Sequence, residues 1–391
     1  MLELLRNARV YSPEPLGVCQ ILVAGERIAW IGGERIELPR ELAATVTDLG
    51  GRRVIPGIVD GHAHVTGGGF EKGYASRVPP LSASEFTRCG ITSVVGLLGT
   101  DDLVHTPAEL LAHVRGLVEQ GLSAWCWTGG YHVPVATLTG SVRGDLVHLD
   151  RCIGVGELAI SDHRSSQPTL EELLRIASEC HVGGMMTGKA GVLHLHLGDG
   201  ERGLELVRRA LETSELPPRV FQPTHVNRRR ALFEEALELS RFGVPIDITA
   251  FPVEEGEDAL AADVALAQYL SRGGEPALVT VSSDGGGCLP HFDDDGRVAG
   301  FGVGAPSALA DCLAQLLRDG HALEKVLPAF TSNWADALRL AGKGRLVAGA
   351  AADLVVLGDD HLVRDVMCGG VWHVRDAQPR VADPFEFLPA P

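Results

Sequence analysis

Eight apolar runs without in/out alternation punctuate the middle of this chain, at residues 55–64, 92–98, 124–131, 153–161, 192–197, 219–225, 245–250 and 277–283. Continuous apolar runs bounded by turn residues fit strands buried on both faces, as in a parallel sheet. Between them lie segments with helical spacing, among them 107–119, 170–179, 203–212, 230–241 and 259–270. Strand and helix alternating over this length predict an α/β fold, a (β/α)8 TIM barrel. The two ends of the chain read differently. Short strands and turns fill 19–31 and 353–374, with the turn Gly25-Glu26 in the first. Residues 1–56 and 347–391 are therefore expected to meet in one small, sandwich-like β domain, and residues 57–346 to form the barrel. No internal repeat or low-complexity segment interrupts this pattern, and the acidic turn at Phe292-Asp293-Asp294-Asp295-Gly296 reads as a solvated loop without the ligand spacing of a calcium site.

In barrels of this kind the working groups sit at the C-terminal ends of the strands. The first run ends in His62-Ala63-His64, and residues i and i+2 of a strand face the same side. Both imidazoles can thus reach one metal ion, with Gly67, Gly68 and Gly69 leaving room beside them. The fourth run carries Glu157, the fifth ends His194-Leu195-His196, the sixth ends in His225 and the eighth in Ser283-Asp284-Gly285. Four histidines, one glutamate and one aspartate suit a pair of Zn2+ ions. Glu157 is the candidate bridge, His62 and His64 with Asp284 hold one ion, and His196 with His225 holds the other. His194 shares a face with His196, so either could be the ligand; His196, nearer the strand end, is preferred. Asp162 and His163 read as supporting residues, and His132, His148 and His291 as structural ones.

Composition narrows the partners. A formal charge of −17 argues against nucleic acid. No apolar run is long enough to span a bilayer, and Met1-Leu2-Glu3-Leu4-Leu5-Arg6 lacks the basic start and apolar core of a signal peptide, so a cytoplasmic protein is expected. The 8 cysteines include no CxxC pair, which speaks against a disulfide framework or a zinc finger.

The segments GIVDGHAHVTGGGFEKG, TSVVGLLGTDD, GGYHVP, ISDHRS, HLGD, PTHVNR and SSDGGG, spread over nearly the whole chain, resemble the amidohydrolase superfamily and within it the isoaspartyl (β-aspartyl) dipeptidases. GGYHVP, ISDHRS and PTHVNR carry the subfamily likeness. The resemblance implies a metallopeptidase with His62, His64, Glu157, His196, His225 and Asp284 around two Zn2+ per subunit. Glu71, helped by Gly69 and Thr100, would bind the substrate's free ammonium. Tyr131 would polarise the scissile carbonyl, and Arg164 and Arg228 would bind carboxylates. It also implies a homo-oligomer, with an octamer as the expected assembly.

Two positions depart from the family pattern. Better-known members carry a carbamylated lysine where this chain has Glu157, and none of Lys72, Lys189, Lys325 and Lys343 lies on that strand. A carbamylated bridge is therefore not expected. Cys288 stands where the pattern has a substrate-binding serine, and a thiol is the weaker donor. The chemistry implied is hydrolysis of a β-aspartyl side-chain amide by hydroxide held between the metals, with Asp284 moving the proton. Other readings are a dihydroorotase-like cyclic amidase, an N-acyl-amino-acid deacylase, or a non-catalytic scaffold of the same fold.

Overall fold

The computed structural model describes residues 2–254, 256–292 and 298–386. Six of the apolar runs form one parallel sheet: β1 (Ile58–Ala63), β2 (Ile91–Gly96), β3 (Ser123–Thr128), β4 (Cys152–Ser161), β5 (Val192–Leu197) and β6 (Phe221–Thr224), paired in chain order. The last two runs, β7 (Ile246–Thr249) and β8 (Val279–Ser282), form a separate parallel pair. Every residue of these eight strands is buried except two on β3, which explains why none of the runs alternates in polarity. Single contacts cross the two gaps between the ladders. The Val226 amide donates to the Asp247 carbonyl at 3.3 Å, the Asp284 amide to the His62 carbonyl at 3.2 Å, and Ala63 bridges Gly285 in parallel.

The first run is two strands rather than one. Arg53–Pro56 joins a different sheet, and the parallel sheet begins at Ile58. The break falls at Gly57, where a Cβ would sit 2.0 Å from Thr92 Oγ1. The other sheet has, among the described residues, nine strands drawn from both ends of the chain. In order these are Gln378–Pro379, Val371–Arg375, Val363–Cys368, Leu354–Leu357, Arg53–Pro56, Leu2–Tyr11, Pro15–Ala24 and Arg27–Gly32, with Thr45–Asp48 also on Leu2–Tyr11. Leu5, Ile21, Val54, Leu354 and Met367 form its own buried core.

Helices cover the parallel strands, and their ends are encoded locally. Pro107–Glu119 begins after Thr106, whose hydroxyl accepts from the Glu109 amide at 3.2 Å, with proline at the first turn. Leu170–Thr187 opens with a reciprocal Thr169–Glu172 capping box and stops at Gly188, at φ 75. It runs about two turns beyond the predicted end, because Gly183 fits closely against Leu146 and Gly184 against Gly191 instead of breaking the helix. Leu173, Ala177, Phe233, Leu237, Ala265 and Tyr269 turn inward to the main core. Helices Val142–His148 and Ser307–Arg318 and the hairpin Cys288–Phe292/Val298–Val303 were not anticipated. Asp293 to Asp295, the acidic turn, lie outside the described residues.

Candidate metal centre and substrate pocket

The strand ends bring the expected side chains to one buried cluster. His62 closes β1 and His64 follows it; Glu157 lies mid-way along β4; His196 is on β5, His225 just past β6 and Asp284 just past β8. His64 Nε2 is 3.3 Å from Glu157 Oε1 and 3.3 Å from Asp284 Oδ1. His62 Nε2 lies 3.4 Å from Asp284 Oδ1 and 3.6 Å from Glu157 Oε2. On the other side, Glu157 Oε2 is 2.9 Å from His196 Nδ1 and 3.2 Å from His225 Nε2. One carboxylate of Glu157 thus faces all four imidazoles, with its two oxygens toward different groups. His225 and Asp284 hold φ of 58 and 52, in the left-handed region that non-glycine residues avoid. Strain of this kind persists where surrounding structure over-determines it, as at sites of function.

The electrostatics are those of a cation site. Burial works against the charges on Glu157 and Asp284, yet the facing histidines hold both carboxyls well below their ordinary range. Burial likewise opposes protonation of His62 and His64, but Glu157 and Asp284 raise both. His225, buried beside Arg228, is pushed down to about 3 and stays neutral. Among the described residues, His62 Nε2 and Asp284 Oδ1 are buried and have no hydrogen-bond partner. Two unpartnered lone-pair atoms, converging with further imidazoles and carboxylate oxygens, fit a divalent metal better than they fit one another. His62, His64 and Asp284 offer one ligand set within 4.8 Å, and His62, Glu157 and His225 a second.

The outer faces of three imidazoles are tied down. His225 Nδ1 meets Thr249 Oγ1 at 2.7 Å, His196 Nε2 meets Asp162 Oδ2 at 2.9 Å, and His62 Nδ1 meets His194 Nε2 at 2.8 Å. Asp162 reads in the sequence only as a supporting residue. In the structure it also grips Arg164, with Nε at 3.0 Å and Nη2 at 2.6 Å, and a Cβ on Gly198 would lie 1.9 Å from its carboxylate. His132, read as structural, has a definite partner, its Nδ1 standing 2.9 Å from Asp102 Oδ1. Asp60 was missed. It accepts from the Ser283 hydroxyl and amide and from the His62 amide, tying β1 to the loop that carries Asp284. Its signal was available, since Asp60, His62 and His64 share the same two-residue spacing.

The cluster floors a cavity of about 570 Å³, whose walls include Gly69, Glu71, Thr100, Tyr131, Arg164, Arg228 and Cys288. The Tyr131 hydroxyl lies 2.9 Å from His196 Nδ1, and the Arg164 guanidinium stands 5.5 Å over its ring. Burial, then Glu157, raises the phenol well above its ordinary value, so it remains a donor at neutral pH. Thr100 Oγ1 donates to Glu71 Oε1 at 3.4 Å, and Arg164 Nη1 is 3.7 Å from the same oxygen. Among the described residues, Glu71 Oε2 is buried and has no hydrogen-bond partner. Cys288 shares that wall, and burial together with the Glu71 carboxylate pushes its thiol up to about 12.

An amidohydrolase family model matches residues 53–373, most of the chain. The chain belongs to the amidohydrolase family. This amidohydrolase is similar to the solved β-aspartyl dipeptidase of Fervidobacterium islandicum AW-1 in complex with β-Asp-Leu dipeptide, at 38% identity and a TM-score of 0.91, over 99% of this chain and 100% of that one. A second structure of β-aspartyl dipeptidase from that organism matches at 36% identity with a TM-score of 0.89 over the same shares. Among curated proteins, the imidazolonepropionase of Streptomyces avermitilis is 25% identical over 366 residues, 88% of this chain and 82% of that protein. The family resemblance carried by the sequence motifs is thus matched by a full-length structural likeness. No helix among the described residues is long and apolar enough to cross a membrane.

Proposed function

We propose that this amidohydrolase is a metal-dependent isoaspartyl dipeptidase that hydrolyses the side-chain amide of β-aspartyl dipeptides. The observation that carries the reading is the cavity wall around the imidazole cluster. There, among the described residues, a buried Glu71 oxygen lacks a hydrogen-bond partner, while Arg164 and Arg228 line the same cavity. That arrangement complements a small zwitterion: a carboxylate for an ammonium, and guanidinium forks for carboxylates. The full-length likeness to β-aspartyl dipeptidases supports it.

His62, His64 and Asp284 would hold one Zn2+, His196 and His225 the other, with Glu157 bridging them and no carbamylated lysine. When bound, such ions lower the pKa of water and polarise a carbonyl. The chain's own groups do the rest. Glu71, Thr100 and the Gly69 turn place the ammonium, Arg164 and Arg228 orient the carboxylates, and Cys288 borders the ammonium pocket. The Tyr131 phenol donates a hydrogen bond to the carbonyl oxygen as negative charge develops on it. Asp284 accepts the proton of the attacking water and delivers it to the departing nitrogen as the C–N bond breaks. Free aspartate and the second amino acid are the products.

We further infer that the six-strand sheet and the β7–β8 pair make up one eight-stranded barrel at residues 57–346, supported by the contacts that span both gaps. Residues 1–56 and 347–391 would form the small β domain, in a cytoplasmic homo-oligomer, an octamer by the family resemblance. The imidazolonepropionase reading has the curated relatives in its favour, at about a quarter identity. A substrate panel separates them. The metal-loaded protein is expected to cleave β-Asp-Leu and to spare α-Asp-Leu, imidazolonepropionate, cyclic ureides and N-acyl amino acids. A fully loaded preparation that leaves β-Asp-Leu intact overturns the proposal.

A further inference from the structure

His194 is the one imidazole of the cluster that no role above uses. It lies on β5 two residues before His196, is fully buried, and meets the centre through His62. Its ring stacks on Trp127 at 5.0 Å and 6° between planes, with the edge of Trp334 at 6.1 Å. Trp127 is itself pinned by its indole N–H to the Gly61 carbonyl at 3.0 Å, and Trp334 by its own to the Val281 carbonyl at 2.8 Å. The ring therefore has little freedom to rotate. We infer that His194 is a positioning residue that fixes the tautomer and orientation of His62, so that His62 Nε2 presents its lone pair to a metal ion. The inference rests on the reading of the cluster as a metal centre.

Proton placement decides which nitrogen of His62 can face a metal. His62 Nε2 is the atom that faces Glu157 and Asp284 without a hydrogen bond. For it to act as a ligand, the His62 ring must carry its proton on Nδ1. Among the described residues that proton's partner is His194 Nε2 at 2.8 Å, which must then accept. An accepting Nε2 places the His194 proton on Nδ1, a buried atom without a hydrogen-bond partner among the described residues. Asp247 is the acidic group beside it: ligand atoms of His62, His194 and Asp247 lie within 4.8 Å of one another. The other tied imidazoles use a carboxylate or a hydroxyl for this purpose. A neutral imidazole differs because it accepts in only one tautomer, so the aromatic clamp that sets its orientation is part of the device.

Three variants of the full chain test this: His194→Gln, whose amide oxygen can take the place of Nε2, His194→Asn, which is polar but too short, and His194→Leu. Each is loaded with Co2+ or Zn2+, and metal release to an excess of chelator is followed with the visible Co2+ spectrum. The Asn and Leu variants are expected to release one of two ions about 10- to 100-fold faster than the parent, with an altered Co2+ spectrum. The Gln variant is expected to approach the parent, and thermal unfolding of the metal-free forms to be similar throughout. If Asn or Leu retains both ions at the parent rate, or if Gln releases metal as fast as Leu, the inference is wrong. A parent protein that binds no divalent ion overturns the metal-centre reading, and this inference with it, so the two failures are distinguishable.

Discussion

Replacing Tyr131 with phenylalanine removes one oxygen atom and little else. The ring stays beneath the Arg164 guanidinium, so the 5.5 Å stacking contact survives. His196 loses the phenol at 2.9 Å but keeps Glu157 at Nδ1 and Asp162 at Nε2, each at 2.9 Å. No buried nitrogen is left without a partner, and the stability cost should stay near that of one hydrogen bond, about 1 kcal/mol. The catalytic cost should be far larger. A preorganised donor aimed at a developing oxyanion contributes about 10²–10³ in kcat, roughly 2.7–4 kcal/mol. Because the phenol is held protonated by burial, it acts as a donor across the neutral range. Steady-state kinetics on β-Asp-Leu should therefore show kcat falling by that factor, with KM changing little. A rise in KM with kcat intact would make Tyr131 a binding group, and a loss in kcat below about tenfold would remove it from the oxyanion role.

Glu71→Gln removes one charge from the proposed ammonium site, and charge-assisted hydrogen bonds contribute about 1.5–3 kcal/mol, so kcat/KM on β-Asp-Leu should fall roughly 10- to 150-fold; equal rates would end that assignment. Cys288, its thiol pushed up to about 12, should react slowly with iodoacetamide near neutral pH, and rapid alkylation read by mass spectrometry would show that the thiolate is accessible after all. Asp247 is raised by burial from 3.8 to about 6, against the pull of Ser282 and Thr224. Between those values the folded chain holds a proton that the unfolded chain has lost, so this group's stabilising contribution is full at low pH and fades as pH rises through about 6. Taking the metal-free protein from pH 7 to 5 should gain about 1 kcal/mol from it. Urea unfolding of Asp247→Asn should lack that gain, and identical pH dependence in the two chains would refute it.

Much of this architecture is legible in the amino acids because parallel strands buried on both faces leave uninterrupted apolar runs. The strand 192–197 and the helix 107–119 are found with the ends that the sequence predicts. The separation of Arg53–Pro56 from Ile58–Ala63 was not legible, since both strands are apolar and only the crowding of Gly57 against Thr92 reveals the break. Histidine spacing picked out the cluster, and the structure brings all six expected side chains together. What lay beyond sequence is the second tier of partners. Asp162 serves Arg164 within its own loop and His196 across 34 residues, a pairing that no local pattern encodes. His196 meets Glu157 directly at 2.9 Å. Histidine spacing did not foresee that His194 would lie behind His62 rather than point elsewhere.

The count of tightly bound divalent metal ions per chain, by mass spectrometry on protein loaded and then dialysed, tests the centre of this account. Two ions are predicted for the parent chain, falling to one or none when Glu157 is replaced by alanine. A loaded parent that retains fewer than one ion, or an alanine variant that still holds two, would contradict it.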